Sequence, residues 1–414
     1  MWMRPIFLVI VACFLAWHPV RGLPQVEEPQ YLTRLKAKLF DERLITLGSA
    51  IERIESTEEG QAFLSSFYSD EEYTIFAPTD QAFKGYGLDS SNIRKENAYW
   101  LQDVLKYHIT TGKTRLSELP PPRSHTILHT LYHNYTSAAP DARLDQTYGF
   151  LPGGDTRVLV LEKDVGDAGN ALIRGDTWNV TTVDRGVDWE NLLIQKVDRI
   201  IPFPSPFLTT LSEPLISTTP VGLTVSRSLI NLLDAQNVFN DASGITAFLP
   251  VDEDVAGILG ALVGKDRGLQ GNMLFNHIIN GSIQYSTDLL PSKSLITARG
   301  ETINFFQNDT GTYVSSDNNV TANVLRTDVI TSNGVIHVID KFMANPDYNG
   351  QAAASAYSSA VQSASAAAAT VTVPAEATAT ARQRNRASSS RAQLDLIILS
   401  TTGLMILAGV TILV

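Results

Sequence analysis

The chain has 414 residues, 44% of them hydrophobic and 18% charged, with a formal net charge of −11. That length exceeds one typical domain and suits two domains with appendages. The acidic balance argues against nucleic acid as a partner, since phosphate binding needs a basic surface, and the single cysteine, Cys13, sits in an N-terminal leader, which leaves the rest without a disulfide framework, a cysteine nucleophile or a cysteine metal site.

Met1 to Gly22 reads as a secretory signal. Arg4 supplies the positive charge, Ile6 to Ala16 is an apolar run too short to cross a bilayer, and Val20 and Gly22 are small enough for cleavage before Leu23. Pro24 to Pro29 is a short polar lead-in. From Tyr31 to Ile54, the residues Leu32, Leu35, Leu39, Leu44, Leu47, Ile51 and Ile54 recur at helical spacing, which predicts helices packed on a core.

Tyr73 to Phe83 predicts a buried strand, Thr74 to Ala77, that stops and turns into a helix. Phe76 lies in the strand, and Pro78 ends the pairing because it cannot donate to a ladder. Thr79 or Asp80 can cap the first helical turn, and Phe83 returns to the core. The same grammar recurs at Thr246 to Val255, with Phe248, Pro250 and Asp252 in the places of Phe76, Pro78 and Asp80. A unit of this kind occurring twice implies two copies of one module.

Further along, Leu101, Val104, Leu105 and His108 share one helical face, and Gly112 closes the helix. The second copy has Leu274, His277 and Ile278, closed by Gly281. A core histidine just before a helix stop is expected to tie down the last turn through a ring hydrogen bond. The competing reading, a catalytic base, lacks a carboxylate or nucleophile at recognisable spacing. His125, His129 and His133 are spaced by four, so they share a face in a helix or a strand and could hold a zinc ion. Their neighbours favour a strand, in which His129 and His133 stand about 13 Å apart, too far for one metal.

Each copy ends in a near-continuous apolar strand followed by an acid. The stretches run from Asn191 to Asp198 and from Asn333, through His337, to Asp340. Such a strand is covered on both faces. Phe76 to Asp198 spans 122 residues and Phe248 to Asp340 spans 92, and the excess falls after His108. It includes Pro120 to Pro122, Tyr135 to Gly154 and the turn from Asp164 to Asp167. Long insertions in compact domains are functional or disordered, so a surface private to the first copy is expected there.

Beyond the second copy, Gln351 to Thr380 is rich in Ala, Ser, Thr and Val. Its interleaved Ser and Thr argue against a stable helix and predict an extended, O-glycosylated stalk. Leu396 to Val414 is an apolar run with no Lys or Arg after it, where a single-pass span would keep basic residues on its cytoplasmic side. After small residues and a polar spacer, this is the pattern of a glycosylphosphatidylinositol (GPI) signal, with Asn385 as the attachment point and Ser388 as the alternative. Without leader and tail, 28 basic residues face 42 acidic ones.

The opening motif Thr74 to Phe83, then Tyr107-His108-Ile109, and the closing motif Asn333 to Asp340 together resemble fasciclin domains. The first copy departs at the closing motif, where Gln195 stands in place of histidine. In the second copy the opening motif is degraded and the closing one intact. The resemblance implies an α+β fold, two tandem fasciclin-like domains, each a wedge of mostly antiparallel strands packed with helices. It covers roughly Leu32 to Asn345, giving domains at 31–203 and 207–345 with Pro202 to Pro206 as linker; together with the leader at 1–22, the stalk at 350–385 and the removed signal at 386–414 read from the residues, this completes the expected organisation.

Asn-x-Ser/Thr sequons occur at Asn134, Asn179, Asn280, Asn308 and Asn319, and a secretory route makes them glycosylation candidates. No phosphate-binding glycine loop, nucleophile elbow, metalloprotease helix or EF-hand loop is present. The acid clusters at Glu58-Glu59, Asp70 to Glu72 and Asp252 to Asp254 read as solvated turns and helix starts. The resulting expectation is a GPI-anchored surface protein for adhesion, without cofactor or enzymatic activity, whose partners are proteins or glycans of the cell surface or wall. The competing expectation is a small-ligand carrier or hydrolase using a pocket in the first domain.

Overall fold

The computed structural model describes residues 28–133, 151, 156–166, 169–217, 222–252, 264, 266–317 and 320–370. The expected leader, the expected GPI signal with Asn385 and Ser388, and the sequons at Asn134 and Asn319 lie outside these residues.

In domain 1, helices α1 (Glu28–Asp41), α2 (Ile45–Glu55) and α3 (Glu58–Ser65) lead into β1 (Tyr73–Pro78) and α4 (Asp80–Lys84). Helix α5 (Ala98–Tyr107) and strand β2 (Ile109–Thr111) follow. Then come the long pair β3 (His125–His133) and β4 (Thr156–Lys163), β5 (Ala171–Arg174), β6 (Asn179–Thr181), β7 (Val187–Trp189) and β8 (Leu192–Val197). The sheet order is β6-β5-β4-β3-β2-β1-β8-β7.

Domain 2 repeats the plan. It contains α6 (Phe207–Thr210), α7 (Thr224–Leu232), α8 (Gln236–Asp241), β9 (Ile245–Pro250), α9 (Arg267–Phe275), β10 (Ile278–Asn280) and α10 (Ser286–Leu289). Strands β11 (Ser292–Ile296), β12 (Thr302–Asn308), β13 (Gly311–Ser316), β14 (Thr321–Thr331) and β15 (Gly334–Ile339) complete it. Their order is β10-β9-β15-β14-β13-β12-β11.

The two opening strands occupy the same place. Strand β1 pairs parallel with β8 and sets Phe76 opposite Gln195, while β9 pairs parallel with β15 and sets Phe248 opposite His337. All other strand pairs are antiparallel. Alternation along each opening strand splits each domain into two cores. Ile75 and Ala77 face the helices while Phe76 faces the curled sheet. Ala247 and Leu249 do the same against Phe248. Both closing strands are buried on both faces, as their composition predicts. Each fully buried Phe or Leu contributes about 1.5–3 kcal/mol, so these cores replace the missing disulfides.

The caps resolve what the sequence left open. Thr79 Oγ1 accepts from the Ala82 N–H and caps α4. Asp80 serves a different helix, accepting from the Thr46 N–H at the start of α2 at 2.8 Å. Asp252 does the same for α7, accepting from Thr224 and Val225 N–H groups. Thus an acid expected in a solvated cluster ties a strand end to a distant helix.

The stalk expectation needs correction. Gly350–Thr370 is a helix, α11, packed against β11. Alanine supplies strong helix propensity, Asn349 Oδ1 caps the first turn through the Ala352 N–H, and Tyr357 lies against Gly281. A Cβ on Gly281 would meet that ring at 2.9 Å, so docking requires glycine there. Among the described residues, no helix is long and apolar enough to cross a membrane.

Candidate functional site at the domain seam

The paired histidines are structural. His108 Nδ1–H donates to the Val104 carbonyl at 2.7 Å, and its Nε2 accepts from the Ile201 N–H at 2.8 Å. His277 repeats both bonds, to the Met273 carbonyl and from the Met343 N–H. Each ring therefore ties a helix end to the segment after the closing strand. Burial pushes both down to about 4, so both are neutral at physiological pH. The closing acids also match: Asp198 accepts from the Thr181 N–H and Asp340 from the Asn323 N–H. Asn191 and Asn333 each donate to three carbonyls of the helical turn and connection that precede the opening strand.

The copies differ at the closing strand's central residue. Gln195 Nε2 donates to the Asp184 carbonyl at 2.7 Å, within domain 1. His337 stacks on Phe248, with ring centroids 5.1 Å apart, and faces the Asp328 N–H. Asp328 sits in a break of register in β14, with φ of 56°. Its carboxylate accepts from the Ser286 N–H at 2.8 Å and from the Ser286 hydroxyl. It also meets His125 Nδ1 of domain 1 at 2.7 Å.

His125 thus belongs to a seam between the domains. Val158, Val160 and Ile127 on the outer face of β3 and β4 pack with Ile283, Tyr285, Ile330 and Val335 of domain 2. Two arginines are exchanged across it. Arg157, 2% exposed, donates to the Ser332 carbonyl. Arg326 donates to the carbonyls of Gly175 and Asp176 in domain 1 and of Leu215. Burial and the neighbouring Arg174 push Arg326 down to about 10, so it stays charged. The linker is pinned too: Phe203 stacks on Tyr107, and the Ser332 N–H donates to the Ser205 carbonyl.

The three spaced histidines do not converge. Strand β3 forms as expected, His125 turns to Asp328, and His129 Nδ1 meets Thr156 Oγ1 at 3.2 Å. A register shift separates His129 from His133. Among the described residues, no group of three or more metal-ligating side chains could hold an ion. A crevice of about 270 Å³, open to solvent, lies beside the seam near Arg174, Asp176 and Trp178. It falls below the usual size of a small-molecule site.

Among the sequons, Asn179 and Asn308 are exposed. Asn308 Oδ1 accepts from the Thr310 N–H at 2.9 Å and its hydroxyl at 2.6 Å, an Asx turn at an exposed position. Asn280 is half-buried beside Gly281, under the tail helix. Sequence reasoning missed Asp328, Ser286, Arg157 and Arg326. The run Arg326-Thr327-Asp328 reads as solvent-facing, and nothing in it announces a partner more than 150 residues away.

The fasciclin domain model matches residues 51–143 and 222–345, more than half of the chain. A fasciclin-like arabinogalactan protein of Arthroderma benhamiae is 26% identical over 279 residues, 66% of this chain and 58% of that protein. The chain therefore spans less than two thirds of this relative's length. A solved FAS1 domain pair from the insect cell adhesion molecule fasciclin I covers 77% of this chain and 98% of its own, at 16% identity and a TM-score of 0.30. At that score the fold assignment rests on the family match and the internal repeat.

Proposed function

The chain belongs to the fasciclin-domain family, and from that premise we propose that it is a GPI-anchored, N-glycosylated cell-surface protein that presents its domain pair for adhesion. The observation that carries the reading is the seam: two fasciclin domains, joined by exchanged arginines and a pinned linker, form one broad body. Such a body suits contact with an extended partner better than with a small molecule. The relative's name, a fasciclin-like arabinogalactan protein, favours a glycan-rich surface or wall as the setting. The partner class is then a wall or surface protein or glycan, and the anchor lipid is the membrane contact.

The test uses cells displaying the full chain on immobilised wall glycans and surface proteins. Phosphatidylinositol-specific phospholipase C should release the chain and abolish cell attachment together. Attachment that survives release, or a mature chain that retains residues beyond 396, overturns the reading.

A further inference from the structure

The seam contains an ion pair whose members stand on different domains. His125 Nδ1 and Asp328 Oδ2 are 2.7 Å apart, with side chains 12% and 0% exposed. The groups facing the pair come from several strands. Glu162 of β4 has a carboxylate oxygen 4.0 Å from His125 Nε2. Arg174 of β5 approaches the same carboxylate at 3.4 Å, and the Arg123 N–H donates to its other oxygen. His337 of β15 lies behind Asp328, and Thr327 of β14 meets His125 Nδ1 at 3.3 Å. Within domain 2, Asp328 is already held by Ser286 of α10, and His125 is its contact across the seam.

We propose that His125 is a proton-binding site that latches the two domains, tightest when charged between Asp328 and Glu162 and released when Asp328 itself takes up a proton. The neutral ring serves only one of the two carboxylates. With Nδ1–H donating to Asp328, Nε2 presents a lone pair toward Glu162. The charged ring keeps its Nδ1–H on Asp328 and places a cation between two anions, the second 4.0 Å from Nε2, largely out of water, where charge interactions are strong. His337 does not compete for the proton. It is fully enclosed, burial holds it below the ordinary histidine range, and its Nε2–H donates to the Gln284 carbonyl at 2.9 Å.

The sign follows from Asp328. Burial alone would raise its carboxyl, but the donors His125 and Ser286 and the nearby His337 hold it below the ordinary 3.8. A group of this kind contributes its full share above the ordinary carboxylate range and loses it as pH falls through the folded value. Histidine changes charge between about pH 5 and 8. The latch therefore tightens when the ring takes up a proton and fails only in acid strong enough to protonate Asp328. It rests on seam geometry and stands whether or not the adhesive reading holds.

The test places one spin label in each domain of the full chain, using Glu58→Cys on α3 and Ser228→Cys on α7, with Cys13→Ser. Both labelled positions are exposed. The narrow, closed distance peak should gain at least about threefold over the broad, open one between pH 8 and 5.5, and should collapse in stronger acid. His125→Gln keeps a donor for Asp328 but should abolish the gain. Asp328→Asn should abolish the acid collapse. Glu162→Gln should also remove the gain while leaving Asp328 intact, which covers the case in which Asp328→Asn does not fold. A flat wild-type response between pH 8 and 5.5, or a gain that survives His125→Gln, overturns the latch.

Discussion

Domains 1 and 2 share a scaffold and spend it differently. In domain 2, β14 runs unbroken from Thr321 to Thr331 and carries Asp328 at its register break. In domain 1, the corresponding stretch is split into β6 and β7, and the bend between them holds Asp184. Gln195 and Lys196 satisfy Asp184 locally, whereas Asp328 reaches across to the other domain. The hairpins differ in the opposite sense. The outer face of β3 and β4 offers Ile127, Val158 and Val160 to the seam. The matching β11 and β12 pair sets Ser294 opposite Asn304, joined by a side-chain hydrogen bond. Domain 1 thus carries the apolar receptor face and domain 2 the acidic plug. What the fold repeats, then, is a scaffold, and the few unrepeated residues decide what each copy touches.

The strongest probe of what is shared is pH. The unfolded chain binds protons at its histidines near 6.5, the folded His108 and His277 only near 4. Between those values the unfolded state holds more protons, so stability is full above pH 6.5 and falls as pH drops toward 4. Each domain should lose about 3 kcal/mol over that range, read from urea midpoints along a pH series. Domain 2 holds a second buried histidine below its ordinary range, His337, so its loss should exceed that of domain 1, and no loss in domain 1 would break the equivalence of the rings.

Arg326→Met probes what is not shared. It leaves domain 1 carbonyls without their donor and should cost about 2–3 kcal/mol. Calorimetry should then resolve two transitions where the parent should show a single coupled one. Tyr357→Ala should cost domain 2 about 1–2 kcal/mol by undocking α11, with domain 1 unmoved. Limited proteolysis would detect it as new cleavage in residues 350–370.

The smallest effect sharpens the comparison most. Gln195→His installs the domain 2 residue opposite Phe76. It removes a buried Gln195 Oε1 that has no hydrogen-bond partner. The change should shift domain 1 stability by no more than about 1 kcal/mol. A large loss, measured by denaturant unfolding, would mean that the Asp184 bend depends on glutamine.

Short-range patterns alone were enough to reveal the duplicated module. The strand–Pro–acid units, the helix-end histidines and the apolar closing strands are local features, and each one's physical cause lies within a few residues. Burial on both faces, the proline stop and the glycine closures follow from composition in place. Two readings at the edge of that range came out differently. The Ala-rich tail forms a helix because Tyr357 finds a glycine to dock on, a contact that propensity does not see. Asp80 and Asp252 cap helices far away in sequence, where local rules offered only the helix that follows. The seam was beyond reach of the sequence altogether. Arg157, Arg326, His125 and Asp328 are polar residues of ordinary appearance, and only tertiary packing takes them out of water. Once desolvated, they must find partners or destabilise the fold, and the partners available stand on the other domain.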